Sequence, residues 1–334
     1  MTQWCMRMPA GMLAGCMALS VPAVQAADPL PPQEAAALLQ RMSDAARRVA
    51  YEGVFVMQHG ASMQTLSIVN RPVGTAKESR LAALDGVERE IRCSETGSVS
   101  RVIEGGQIKL EKRLNSRYFP DLLPPNAAAL ASWYHVKPGE RVRVAGLDCR
   151  QIEVSPKDDF RWGYVLCAEQ GTGLPLKAVM VNESGQPLMQ YAFAEIRIGS
   201  LPRVESRGLS KTEQTAWTMP PAAAATRPIM LETVSVKNLP PGFSRITAVK
   251  RKLPNKPEEV EHWVFSDGLT HISLFLEPAL QPIESIRGQS KQGMINMAKR
   301  QVGTMQATIL GDAPWPAIEA IAMGLEARSD AATR

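Results

Sequence analysis

The stretch Val260–Pro278, VEHWVFSDGLTHISLFLEP, reads as two short strands, Val260 to Phe265 and Thr270 to Leu276, joined by Ser266-Asp267-Gly268-Leu269. The Asp-Gly step supplies the positive φ angles that a tight hairpin turn requires. Trp263 and Phe265 on one strand, and Ile272, Leu274 and Leu276 on the other, alternate with polar residues. One face of each strand is therefore expected on a core and the other on solvent or a partner. The turn and the polar alternates make up the expected partner surface: His262, Ser266, Asp267, Gly268, Thr270, His271 and Ser273.

Around this hairpin the same pattern recurs at Glu232 to Val236, Phe243 to Lys252 and Thr304 to Leu310. Pro314 and Pro316 then open a final helix with Ile318, Ile321, Ala322 and Leu325 on one face. Residues 231–328 are thus expected to form a small α+β domain. Residues 201–230 lack periodicity and carry Pro202, Pro220, Pro221, Pro228 and the alanine run 222–225, which fits a mobile linker.

Upstream, residues 27–200 begin with the 3/4 spacing of Leu38, Leu39, Met42, Ala46 and Val49, an amphipathic helix. From Tyr51 the period changes to two, and about ten strands follow, separated by turns such as Asp85-Gly86 and Gly105-Gly106. Alternation stops between Asn115 and Pro138, where Leu122 to His135 reads as a short helix and loops. A large curved sheet around one helix leaves an apolar concavity suited to a lipid-like ligand. Phe55, Leu122, Leu123, Leu130, Trp133 and Tyr134 are the residues expected to line it, with ordinary core packing as the alternative for each.

The N-terminus carries Arg7, a short apolar run from Met8 to Val21, and Val24-Gln25-Ala26 before Ala27, so residues 1–26 read as a signal peptide. Leu13-Ala14-Gly15-Cys16 has the shape of a lipid-attachment site and is the competing reading. Three cysteines remain beyond the cleavage point. A three-residue loop at Lys157-Asp158-Asp159 places Cys149 directly opposite Cys167, and an exported chain meets an oxidising compartment, so these two are expected to bond. Cys93 is left as an odd, buried thiol.

The net charge of +5 suits anionic partners or plain solubility. Aromatic residues make up only 5% and do not interleave with basic ones, which argues against nucleic acid. Lys109, Lys112, Arg113 and Arg117 could meet anionic headgroups or form a solvated edge strand. His59, His135, His262 and His271 are scattered outside any metal-binding spacing, and there is no nucleophile elbow, phosphate loop or dinucleotide fingerprint. The expectation is a non-enzymatic protein with no cofactor and no metal.

Several short segments, in order, resemble the MucB/RseB family of periplasmic regulators of an envelope-stress sigma factor. They are Tyr51-Glu52-Gly53-Val54-Phe55, Leu84-Asp85-Gly86 with Arg89-Glu90, Gly146 to Pro156 leading to Arg161-Trp162-Gly163-Tyr164, and Gly173-Leu174-Pro175-Leu176. Leu239-Pro240-Pro241-Gly242-Phe243, Ser266-Asp267-Gly268-Leu269 and Gly311 before Pro314 complete the set. Cys167 and Trp162 depart from the residues usual in the family. The resemblance implies an α+β fold: a half-open antiparallel β-barrel with covering helices, similar to the carriers LolA and LolB, followed by the smaller α+β domain. It implies binding of the periplasmic segment of a membrane anti-sigma factor of RseA/MucA type, shielding of that segment from site-1 proteolysis, and release by lipid or lipopolysaccharide fragments. Self-association into a homodimer stays open, and a periplasmic lipid or lipoprotein carrier of LolA type is the alternative function.

Overall fold

The computed structural model describes residues 28–72, 78–94, 97–104, 107–114, 117–199, 227–229, 232–253, 258–279, 286–289 and 294–328. The expected signal peptide, and the expected linker apart from 227–229, lie outside the described residues.

Helix α1 (Pro32–Arg48) starts on proline, which is pre-set for the first helical turn, and carries Glu34 at its positive end and Arg47 and Arg48 at its negative end. Its apolar face buries Leu39, Met42 and Ala46 at 1% exposure or less. That face packs under one open sheet of eleven strands: β1 (Tyr51–His59), β2 (Ser62–Asn70), β3 (Ser79–Ala83), β4 (Arg89–Ser94), β5 (Gly97–Glu104), β6 (Gln107–Leu114), β7 (Tyr134–Val144), β8 (Leu147–Pro156), β9 (Gly163–Glu169), β10 (Pro175–Val181) and β11 (Pro187–Ile198). The order is β6-β5-β4-β3-β2-β1-β11-β10-β9-β8-β7. Two meanders are therefore sewn together where the first strand meets the last, Tyr51 opposite Ile198.

Strand β7 begins at Tyr134, earlier than the alternation suggested. Pro138 had marked that stretch as irregular, but β7 is the outermost strand of its sheet. An edge strand tolerates a residue that cannot donate to the ladder. The middle segment contributes a 3-10 turn, Ala127–Ser132.

The smaller unit is a second antiparallel sheet, ordered β12-β14-β15-β16-β19-β18-β17. Its strands are β12 (Arg227–Pro228), β14 (Ser244–Lys252), β15 (Glu259–Ser266), β16 (His271–Pro278), β17 (Ile286–Gln289), β18 (Asn296–Val302) and β19 (Met305–Gly311), with β13 (Val234–Val236) paired to β20 (Leu325–Ala327) beside it. The hairpin register places Trp263 opposite Leu274 and Phe265 opposite Ile272. These four join Ile309, Ile318 and Ile321 at the centre of a core, each of the seven 1% exposed or less, and helix α2 (Trp315–Gly324) covers it. Leu325, read as the last residue of the helical face, instead opens β20 and is buried there.

Cys149 and Cys167 are bonded, with Cα atoms 5.6 Å apart. The register differs from the expected one: Cys149 lies opposite Glu169 and Cys167 opposite Gln151, because the chain does not re-enter the sheet until Gly163. The slip is two residues, so both sulfurs stay on one face and the pair survives as a diagonal one. Closing a loop of 18 residues restricts the unfolded chain by about 3 kcal/mol. Reduction should lower the denaturant midpoint by a corresponding amount, and identical midpoints with and without reductant would show that the bond adds no stability.

Candidate functional site

The hairpin turn that organises the small sheet is pushed into the large one. Asp267 at its tip has a fully buried side chain. Its Oδ1 accepts the backbone N–H groups of Leu269 (3.0 Å) and Thr270 (2.8 Å), which fixes the turn. Its Oδ2 points across the joint, where the Tyr134 hydroxyl donates to it at 3.3 Å and Arg161 Nε lies 3.1 Å away, out of line for a hydrogen bond. The contact with Arg161 is thus mainly electrostatic, between two side chains removed from water.

Arg161 is the centre of the joint. Its remaining nitrogens donate to Asp158 Oδ2 (3.0 Å) on its own loop and to the Pro241 carbonyl of the small unit. Its guanidinium carbon lies 5.3 Å from the centroid of Trp133, 5.7 Å from that of Tyr134 and 5.4 Å from that of Phe243, so aromatic rings from both units enclose it. Arg117 adds a second bridge by donating to the Gly268 carbonyl, and burial lowers its pKa. Two glycines permit this closeness. A Cβ on Gly242, at φ +79°, would stand 2.5 Å from the Trp133 indole, and one on Gly268, at φ +106°, would stand 3.1 Å from Pro124.

Beside this contact lies a cleft of about 420 Å³ with walls from both units: Arg47, Arg117 and Asn126 on one side, Ser244, Ile246 and His271 on the other. One of its walls, His271, lies on the face of the small sheet turned away from α2. On that face the His262 ring stacks on Phe275 at 4.3 Å and its Nε2 lies 3.0 Å from Ser273 Oγ.

The residues expected to meet a partner therefore divide. Ser266 is 5% exposed and Thr270 only 1%, and with Asp267 and Gly268 they serve the turn or the joint. Thr270, expected among the exposed alternates, is thus corrected to a buried position. His262, His271 and Ser273 are half-buried, and burial pulls both histidines down to about 4, so they are neutral at ordinary pH.

The expected cavity residues divide as well. Phe55 packs 5.1 Å from Phe119 and 5.9 Å from Phe193, and Leu123, Leu130 and Tyr134 are buried in the same core. Leu122 and Trp133 are half-buried, the latter at the joint. Arg161 and Pro241 were not singled out by chemistry, and Arg117, read for anionic headgroups or a solvated edge strand, is instead spent on the joint. The signal that could have found two of them was the set of short segments carrying the family resemblance: Arg161-Trp162-Gly163-Tyr164, Leu239 to Phe243 and Ser266 to Leu269 converge here.

Asp312, just after β19, is a second buried carboxylate near the joint. It accepts the His271 N–H at 2.9 Å, and burial raises its pKa to about 7, with Asp267 adding to the rise. Tyr164 of the large sheet lies in the field of both carboxylates; burial first, then Asp312 and Asp267, push its pKa up. The ordinary value for Asp312 is 3.8, so the folded chain holds this proton longer than the unfolded one. The contribution of Asp312 to stability is then full below about pH 4, is lost as pH rises toward about 7, and stays absent above it. Asp312→Asn should flatten that slope and make the chain more stable than the parent at pH 8; denaturation midpoints from pH 5 to 8 that slope equally in both would contradict this.

Among the described residues no group of three or more His, Cys, Asp or Glu side chains could hold a metal ion. What the geometry defines is a two-unit α+β protein, an eleven-stranded sheet and a seven-stranded sheet riveted at a buried polar joint. The profile of the MucB/RseB N-terminal domain matches residues 34–221 and that of the MucB/RseB C-terminal domain residues 231–326. The chain belongs to the MucB/RseB family. It is 29% identical over 313 residues to the sigma factor AlgU regulatory protein MucB of Pseudomonas aeruginosa, covering 92% of this chain and 93% of that one. With the sigma-E factor regulatory protein RseB of Escherichia coli it shares 25% identity over 299 residues, 83% and 86% of the two chains. Its structure is similar to that of MucB in the Pseudomonas aeruginosa MucA/MucB complex, at a TM-score of 0.69 and 26% identity over 89% of this chain and 99% of that one.

Proposed function

We propose that this chain is a periplasmic, non-enzymatic regulator that binds the periplasmic segment of a membrane anti-sigma factor and shields it from site-1 proteolysis. The observation that carries this reading is the match of both family profiles, together with the likeness to MucB as solved with MucA over almost the whole of that chain. The buried joint agrees with it, because one polypeptide then presents surfaces of two sheets in a fixed relation. Residues 27–334 should capture the periplasmic segment of the same organism's anti-sigma factor in a pull-down, and residues 27–200 alone should not. Full affinity in the truncated chain would remove the small unit from the partner site.

Release by lipid or lipopolysaccharide fragments belongs to the same proposal. An acyl chain entering beneath the large sheet would have to displace Phe119, which sits 5.1 Å from both Phe55 and Phe193 and stacks on Tyr191 at 5.4 Å. The ligand would thus act by opening a filled aromatic core, which costs packing contacts that its own chain must replace.

A further inference from the structure

We infer that Arg161 is a positioning residue for the partner site: it seats an extended segment of the anti-sigma factor in the joint cleft by holding the two walls of that cleft together, without touching the segment. The inference rests on the functional reading above and adds where the segment lies and what shapes its seat.

The argument starts from the cleft. Arg47, Arg117 and Asn126 come from the large unit, and Ser244, Ile246 and His271 from the small one, so the cleft exists only while the units are docked. Ile246 is 40% exposed, a large apolar side chain at the rim. From His271 the surface continues along the outward face of the small sheet through Ser273, Phe275 and His262, where β16 and β15 run side by side. An extended chain laid on that face would reach the cleft without a turn. The groups on offer there are hydroxyls, an amide, two neutral imidazoles and apolar surface, which match a peptide better than a free anion. The positive charges of Arg47 and Arg117 meet Asp121 within the same walls.

Arg161 itself is 1% exposed and its side chain is closed off, so it cannot reach a segment in the cleft. Its contacts are all internal to the joint: Asp267 and the Pro241 carbonyl of one unit, Asp158, Trp133 and Tyr134 of the other. Losing them loosens the joint, which keeps the Arg117 bridge to Gly268 and the apolar packing of Leu269 and Met294 on the large unit and of Phe160 on the small one. The partner site then loses the fixed spacing of its walls and no contact residue.

The test uses full-length mature chain. Arg161→Ala should weaken binding of the anti-sigma segment by ten-fold or more and enlarge the radius of gyration in solution scattering. Arg161→Lys, which keeps a positive charge beside Asp267 and Asp158, should recover part of both. If circular dichroism shows Arg161→Ala unfolded, Asp267→Asn takes its place, since the amide oxygen still holds the turn while the charge is lost. Parent-like affinity in the variant overturns the proposal, and so does weak binding at a parent-like radius of gyration, which would make Arg161 a direct contact. Failure of the parent chain to capture the segment overturns the functional reading and this one with it.

Discussion

Asp267→Ala is expected to weaken the joint by about 3–5 kcal/mol, the usual consequence of removing one member of a buried ion pair. The loss has two parts. Arg161 stays buried with only Asp158 as a charged neighbour, and the turn loses the acceptor that holds the N–H groups of Leu269 and Thr270. The joint should fail first, so denaturant should unfold the small unit ahead of the large one in two separate steps. A single transition at the parent midpoint would mean that the pair contributes nothing to docking. Replacing both members together is a different experiment, because an uncharged pair of similar volume avoids the stranded charge and can be close to neutral.

Trp263→Ala should cost the small unit about 3–5 kcal/mol, the range for removing a large aromatic side chain from a packed core. Trp263 is 1% exposed, lies 6.4 Å from Phe265 and carries the Arg245 guanidinium 4.5 Å over its ring. Amide hydrogen exchange separates the consequences: β15, β16 and β19 should lose protection while β1, β2 and β11 keep theirs. Equal loss in both sheets would show that they unfold as one cooperative body and that docking is stronger than either core.

Much of this architecture was legible because alternation is a local signal. Tyr51 and Phe55, Leu66 and Ile68, Trp263 and Phe265, and Ile272, Leu274 and Leu276 each fall an even number of positions apart within their strands, on the buried face. Strand β18 was not read, because only Ala298 and Val302 turn apolar side chains to the core beside Asn296, too small an amplitude to stand out. Strand β20 was absorbed into the preceding helix, since three residues gain their identity only from β13, some ninety positions earlier in the chain. The disulfide was read for the right face and the wrong register, which a period of two forgives.

The joint was the hardest to see. Asp267 is a turn residue by every local criterion, and nothing near it in sequence announces Arg161, 106 positions away. Its second task is a tertiary fact, visible in sequence only as resemblance between short segments that share no local purpose.

The divided carboxylate of Asp267 also sets an order of assembly. Oδ2 is aimed at Tyr134 and Arg161 only after Oδ1 has been captured by the N–H groups of the finished turn. Hairpin closure takes microseconds, whereas docking of folded units takes milliseconds to minutes. The hairpin must therefore be complete before it can dock. Until then the Arg161 loop, already held by Asp158, stands as a prepared receptor for a folded shape and does not bind a loose chain. Docking at this carboxylate thereby serves as a check that the hairpin turn has closed.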